Sequence, residues 1–326
     1  MKDEGVYSLY GLRVSSAIGL PAPRAQSEAP PYDLRFEWGE PGRVADSPPS
    51  GAVLAGLETG GGRVYALTET ENGYLMSISQ IGQFEIASDL QSVRVHSRPN
   101  VPSELIALFL IGNVIACVLT LTGEPVLHAS AVQIGDSALA FLGESGMGKS
   151  TLAALLCADG ARLITDDLLR LLPDGLDFRC FAGTRQLRLR PGAALVAENF
   201  PACRRGTTAD HRIAVTMDVN QSMPGLAAIV IPRLSRERKA LKVRRLQRSA
   251  SLFHLMAFPR LAGVQQKHHL QRQLDFFGHI AARIPIFEAA IPWGQPTPRG
   301  LASALAQRTL GWSGKKRVRK KAGAAG

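Results

Sequence analysis

Gly143-Glu144-Ser145-Gly146-Met147-Gly148-Lys149-Ser150-Thr151 is the stretch whose reading decides the fold. It fits the pattern G-x-x-x-x-G-K-[ST], a loop that wraps phosphate. Glycines let the backbone curl until successive N–H groups converge on one anion. A helix starting just beyond the loop adds the positive end of its dipole. In such a loop Lys149 brings a point charge to the β- and γ-phosphates, and the Ser150 hydroxyl ligates Mg²⁺. Gly143, Glu144, Ser145, Gly146, Met147, Gly148, Lys149, Ser150 and Thr151 are therefore the candidate nucleotide-binding residues, for ATP or GTP.

The flanks have the order that such a loop requires. Ser137-Ala138-Leu139-Ala140-Phe141-Leu142 is a short apolar run and reads as a buried strand. Thr151-Leu152-Ala153-Ala154-Leu155-Leu156-Cys157-Ala158 is rich in helix formers, and Gly160 supplies a stop. The next apolar strand, Ala161-Arg162-Leu163-Ile164-Thr165, runs into Asp166-Asp167. Two adjacent carboxylates at the end of an apolar strand repel each other, and burial penalises both charges. A Mg²⁺ ion and an attacking hydroxyl would give each one a use. His128 sits in Val126-Leu127-His128-Ala129-Ser130-Ala131-Val132, read as the strand before the loop strand and joined to it through Gly135-Asp136. A histidine there either satisfies the core or touches phosphate.

Together these three elements resemble the catalytic domain of the HPr kinase/phosphorylase family. That family carries a His near the end of one strand, a G-x-S-G-x-G-K-S loop, and a strand ending in Asp-Asp. The resemblance implies an α/β P-loop kinase fold, of the HPr kinase/phosphoenolpyruvate carboxykinase-like type, behind a smaller, mainly β N-terminal domain. It implies an ATP- and Mg²⁺-dependent transfer to a serine hydroxyl of a peptide or protein. Asp166 would be the base, Lys149 and His128 would act on phosphate, and Ser150 with Asp167 would hold Mg²⁺. The family's Glu-x-Arg-Gly and Gly-Ile signature has no counterpart; Gly183-Thr184-Arg185-Gln186-Leu187-Arg188-Leu189-Arg190-Pro191 keeps arginines only. That departure argues against HPr as acceptor and against the reverse phosphorolysis. The front part is similar to divergent HPr kinase-like proteins found beside peptide-modification genes, which points to a tailoring kinase for a lasso-type precursor peptide. Family habit adds the expectation of a homo-oligomer. A second reading is a nucleotide-binding module that regulates a partner without transfer chemistry, with nucleic acid as one such partner.

Composition sets the bounds. The chain has 326 residues, is 45% hydrophobic and can bury a full core. Cys117, Cys157, Cys180 and Cys203 are widely spaced, which argues against a zinc site or a disulfide framework and fits a reducing, cytoplasmic setting. Met1-Lys2-Asp3-Glu4-Gly5 has acidic residues and no apolar run after it, so it does not read as a signal peptide. Residues 105–121 hold no charge and are strongly apolar, but fall short of the run of about 20 that a span needs and include Gly112 and Asn113. They read as a buried helix between two domains, and no membrane span is expected. The net charge of +11 invites nucleic acid, yet Lys315-Lys316-Arg317-Val318-Arg319-Lys320-Lys321 supplies six of the positives in what reads as a disordered tail. That distribution argues against nucleic acid as partner. A second basic cluster, residues 233–248, reads as a solvated face.

The expected organisation is a mainly β domain over residues 1–100, a P-loop kinase domain over 101–312 and a basic tail over 313–326. Strands are expected over residues 7–14, 32–38, 53–57, 63–67, 74–78 and 83–86, with a loop over 21–31. Farther on, Pro173-Asp174-Gly175 marks a hairpin, 201–211 a polar basic loop, and 226–231 and 285–291 strands. Helices are expected over 249–258, 265–283 and 298–310. The second carries Leu270, Leu274, Phe277 and Ile280 at core-facing spacing.

Overall fold

The computed structural model describes residues 5–40, 44, 51–60, 62–200, 203, 205–217, 222–237, 239–294 and 300–311. The expected basic tail lies outside them, as does Arg238 of the second basic cluster. The described chain is mixed α/β with two large sheets and a small one.

The first sheet takes eight strands: β1 (Gly5–Leu9), β2 (Leu12–Ser16), β3 (Leu34–Trp38), β4 (Val53–Thr59), β5 (Gly62–Thr70), β6 (Gly73–Ile78), β7 (Gly82–Ala87) and β8 (Ser92–Ser97). Their spatial order is β1-β2-β3-β8-β7-β6-β5-β4. Alternation decides the buried face, as in β3, where Leu34 and Phe36 point inward and Arg35 and Glu37 outward. Residues 7–14 form a hairpin rather than one strand, because Tyr10 and Gly11 both take positive φ and turn the chain. The strand β8 was not expected from its short, polar-rich run.

Against this sheet packs one apolar helical segment, Ser103–Leu121. It consists of α1 (Ser103–Phe109), a π-helical turn (Leu110–Val114) and α2 (Ile115–Leu121). At 19 residues and mean hydropathy 2.3 it is long and apolar enough to cross a membrane, so the expected shortfall does not hold. However, 72% of its apolar window is buried inside the protein. Its core partners are Leu9, Phe36 and Phe84 of the first sheet.

The second sheet contains β9 (Ala129–Ile134), β10 (Ser137–Leu142), β11 (Arg162–Thr165), β12 (Leu171–Asp174), β13 (Asp177–Cys180), β17 (Gly225–Ser235), β18 (Lys242–Arg245) and β19 (Ile286–Pro292). A three-stranded sheet holds β14 (Gln186–Leu189), β16 (Ile213–Thr216) and β15 (Arg205–Thr207), in that order; β15 occupies part of the expected polar loop. The helix α3 (Lys149–Ala158) follows the glycine loop and buries Leu152, Ala153 and Leu156 among Phe141, Leu187 and Leu305. A short α4 (Ala194–Ala197) precedes β15. The remaining helices are α5 (Arg248–Ala257), α6 (Lys267–Arg283) and α7 (Leu301–Leu310). In α6 Phe277 and Ile280 are core, but Leu270 and Leu274 are 38% and 42% exposed, because the buried stripe runs through His269, Gln273, Phe277 and Ile280 and each of these leucines lies one position round from it.

Topology gathers the site at one edge of the second sheet. The strand β9 runs antiparallel to both β10 and β11, pairing Ala129 with Leu142 and Ala131 with Thr165. The ends of β10 and β11 and the start of β9 therefore meet. The glycine loop, Asp166-Asp167 and His128 leave the sheet at that edge. Pairing starts at Ala129, so His128 sits just outside the ladder rather than within it.

Candidate functional site

The loop between β10 and α3 curls as its glycines allow. Gly146 and Gly148 have φ of 97° and 85°, a left-handed conformation that a side chain disfavours. Gly148 is the N-cap of α3, so the first amides of the helix point back into the loop. Lys149 is buried, and its Nζ donates to the carbonyl oxygens of Gly143 (2.7 Å) and Glu144 (2.8 Å). Burial lowers its pKa to about 8, against the opposing pull of Asp166 and Asp167. Arg190 Nη2 donates to Ser145 Oγ at 3.0 Å and ties the loop to the end of β14.

The two aspartates diverge. Asp166 is 3% exposed, and its Oδ1 accepts from Ser150 Oγ (2.8 Å) and from Ser130 Oγ (2.5 Å). Its Oδ2 accepts from the Arg188 amide at 3.0 Å. Ser150 and Asp167 were the expected Mg²⁺ pair; in the structure the Ser150 hydroxyl donates to Asp166 instead of Asp167. The cause is local. Successive residues leaving β11 point to opposite sides, and Asp167 adopts φ 83°, which turns its carboxylate away.

Asp167 instead faces three cationic or basic groups. Its Oδ2 lies 2.9 Å from Arg260 Nη2 and 3.2 Å from Arg188 Nη2, and its Oδ1 lies 3.2 Å from His128 Nδ1. His128 Nδ1 is also 3.0 Å from the Asp167 carbonyl oxygen. Both partners are acceptors, so Nδ1 carries the proton and the Nε2 edge is left for a ligand. Burial by itself would raise the Asp167 pKa. Arg260, the His128 hydrogen bond and Arg188 outweigh it and hold the carboxyl well below its usual range.

Three further groups complete the site, and sequence reasoning did not single them out. Arg260 Nη2 also donates to Asn113 Oδ1 at 2.9 Å. Asn113 lies on the π-turn, a form common at functional sites. Gly112 beside it permits this approach, since a methyl group there would stand 2.7 Å from Arg260 Nη2 and 3.0 Å from Asp167 Oδ2. Asp210 pairs with Arg188 and Arg212, each at 3.2 Å. A lone Asn in an otherwise apolar helix was a usable signal, because a polar side chain there needs a partner. Nothing local marked Arg260, which arrives from 93 residues beyond Asp167. In the second basic cluster, Arg233 and Arg244 both pair with Glu288, so that face is only partly a free cationic surface.

Two cavities meet here. One, about 250 Å³, is lined by Gly146, Lys149, Ser150 and Asp166, and by Leu234 and Trp293. The other, about 430 Å³, reaches between the first sheet and the helical segment. His128, Ser145, Asp167, Arg188 and Arg212 line both, whereas Asp166 lines only the first of the two. Among the described residues no group of three or more His, Cys, Asp or Glu gathers to hold a metal by itself. The Ser150 hydroxyl and the Asp166 carboxylate are hard oxygen donors that suit Mg²⁺, which takes few protein ligands and fills the rest with phosphate and water.

No protein-family model matches the chain. No curated protein matches it either. Among solved structures it is similar to the Hpr(Ser) kinase/phosphatase from Coxiella burnetii, at 14% identity and a TM-score of 0.30, over 57% of this chain and 97% of that one. A likeness that distant says nothing of chemistry, and the functional reading rests on the site.

Proposed function

We propose that this chain is an ATP- and Mg²⁺-dependent kinase that phosphorylates a serine hydroxyl of a peptide or protein, a lasso-type precursor peptide being the acceptor implied by the family resemblance. The observation that carries the reading is the position of Asp167 in the wall shared by two cavities, one of which contains the glycine loop. Phosphoryl transfer needs such an arrangement, with donor and acceptor on either side of one carboxylate.

In this reading the loop amides and Lys149 hold the donor phosphates. Ser150 and Asp166 hold Mg²⁺, which when bound neutralises charge on the phosphate oxygens. Asp167 accepts the hydrogen bond of the incoming hydroxyl and takes its proton. These roles exchange those expected for the two aspartates, because the hydroxyl of Ser150 meets Asp166. A depressed pKa does not disqualify Asp167. In a loose transition state the hydroxyl becomes acidic late, and an ionised carboxylate already in place suffices. Arg188 and Arg212, which line both cavities, would supply positive charge to the transferring group.

The test is intact-mass detection of phosphate on serine peptides incubated with ATP and Mg²⁺. Lys149→Ala and Asp167→Asn serve as controls. Transfer by wild type and by neither variant supports the reading. Transfer retained by a well-folded Asp167→Asn removes the base.

A further inference from the structure

The larger of the two site cavities has a wall that the transfer chemistry does not use. From Asp167 it extends to Leu57 on β4, Val64 and Tyr65 on β5, and Leu105 and Phe109 on α1. Leu57 is 36% exposed, and Val64, Leu105 and Phe109 are only partly buried, so apolar surface is left open beside a reactive carboxylate. Tyr65 contributes only its ring, since its hydroxyl is held by the Ala262 carbonyl at 2.7 Å.

The charges on this cavity balance. Glu144, Asp167 and Asp210 face Arg188, Arg212 and Arg260. All but Glu144 are engaged with one another in ion pairs. The three acidic and three arginine side chains sum to no net charge, Glu144 sits on the loop side rather than on the elements of the apolar wall, and a charged side chain against that wall would lose its water without a partner.

We infer that this cavity is the acceptor site, and that the first sheet and α1 select a serine flanked by an uncharged apolar residue in an extended peptide. The inference rests on the kinase reading and deepens it. The serine hydroxyl meets Asp167 at the shared wall, while the flanking side chain lies against Leu57, Val64, Leu105 and Phe109. Transfer breaks the bond between the γ-phosphorus and the bridging oxygen of ATP and forms one between that phosphorus and the serine oxygen. ADP leaves, and the serine proton passes to Asp167. The first sheet thereby gains a role in choosing the substrate.

The experiment uses the full chain, Mg²⁺, ATP and synthetic peptides Gly-Gly-Xaa-Ser-Xaa-Gly-Gly with Xaa as Leu, Phe, Glu or Lys. Initial rates are read by mass, and binding of a fluorescent ATP analogue is measured in parallel with Lys149→Ala as control. Leu- and Phe-flanked peptides are expected to react at least about ten-fold faster than Glu- or Lys-flanked ones. Leu57→Glu, at an exposed position, should shrink that ratio and favour the Lys-flanked peptide; Leu105→Glu should do the same if it folds. Equal rates, or faster transfer to charged-flank peptides by wild type, overturn the inference and leave the kinase reading standing. Lys149-dependent nucleotide binding with no transfer to any peptide overturns both.

Discussion

Ser150 Oγ lies 2.8 Å from Asp166 Oδ1, although Asp166 and Asp167 are adjacent and equally able to reach the loop by sequence. One carboxylate is thereby committed to the loop hydroxyl, and the other is released toward the second cavity.

The division of labour predicts distinct defects. Asp166→Asn should weaken Mg²⁺ binding, seen as a raised Mg²⁺ requirement in a titration at fixed ATP. Asp167→Asn should keep nucleotide affinity and lower kcat by about 10²–10⁴, the usual contribution of a positioned base. Identical Mg²⁺ titration curves for Asp166→Asn and wild type would refute the assignment.

Arg260 holds Asp167 ionised, which gives a signed pH effect. The folded-state pKa of Asp167 is below its ordinary value, so its ion pairs stabilise the fold above about pH 4 and that stability is lost as pH falls through the lowered pKa. Arg260→Met removes the leading charge that lowers it. The acid limb of the kcat profile should then move to higher pH. Melting curves of wild type and Asp167→Asn should differ most above pH 4 and converge below it.

Lys149 gives a slope of the same sign in a higher pH window, but its cause is burial rather than ion pairing. Its folded pKa of about 8 lies below the ordinary lysine value of 10.5, so between those pH values the unfolded chain binds more protons and stability rises with pH. Phosphates beside the ammonium should raise its pKa again. ATP binding at pH 8.5 should therefore take up protons, measured calorimetrically in buffers of different ionisation enthalpy, and the uptake should fall in Lys149→Met.

Gly112 separates helix propensity from site geometry. Gly112→Ala favours the helix by about 1 kcal/mol in isolation but drives a methyl group against Arg260 and Asp167. We expect little change in the thermal midpoint and a fall in kcat with nucleotide affinity kept. Full activity in Gly112→Ala would show that the Arg260–Asp167 contact is dispensable.

Trp293 lines the loop cavity beside Leu234. Nucleotide binding should change the tryptophan fluorescence of the protein, and Trp293→Phe should abolish most of that change. An unaltered response would place the base elsewhere.

The order of strand, glycine loop, helix and acidic strand end was determined by sequence, because each depends on local chemistry: apolar runs, residues that tolerate positive φ, and helix formers. The observed β10, α3 and β11 follow those runs within a residue or two. The apolar helix was legible for the same reason, its expected residues 105–121 lying within Ser103–Leu121. Tertiary structure alone decided which aspartate meets Ser150, since that turns on the backbone angle at Asp167 and on a strand register set by β9. It alone brought Arg188 and Arg260 to one carboxylate and Asn113 to Arg260, and β4 and β5 to the wall of the second cavity. Contacts across such separations leave no periodic trace in a chain; they exist only once two cores have packed and fixed the distance between their edges.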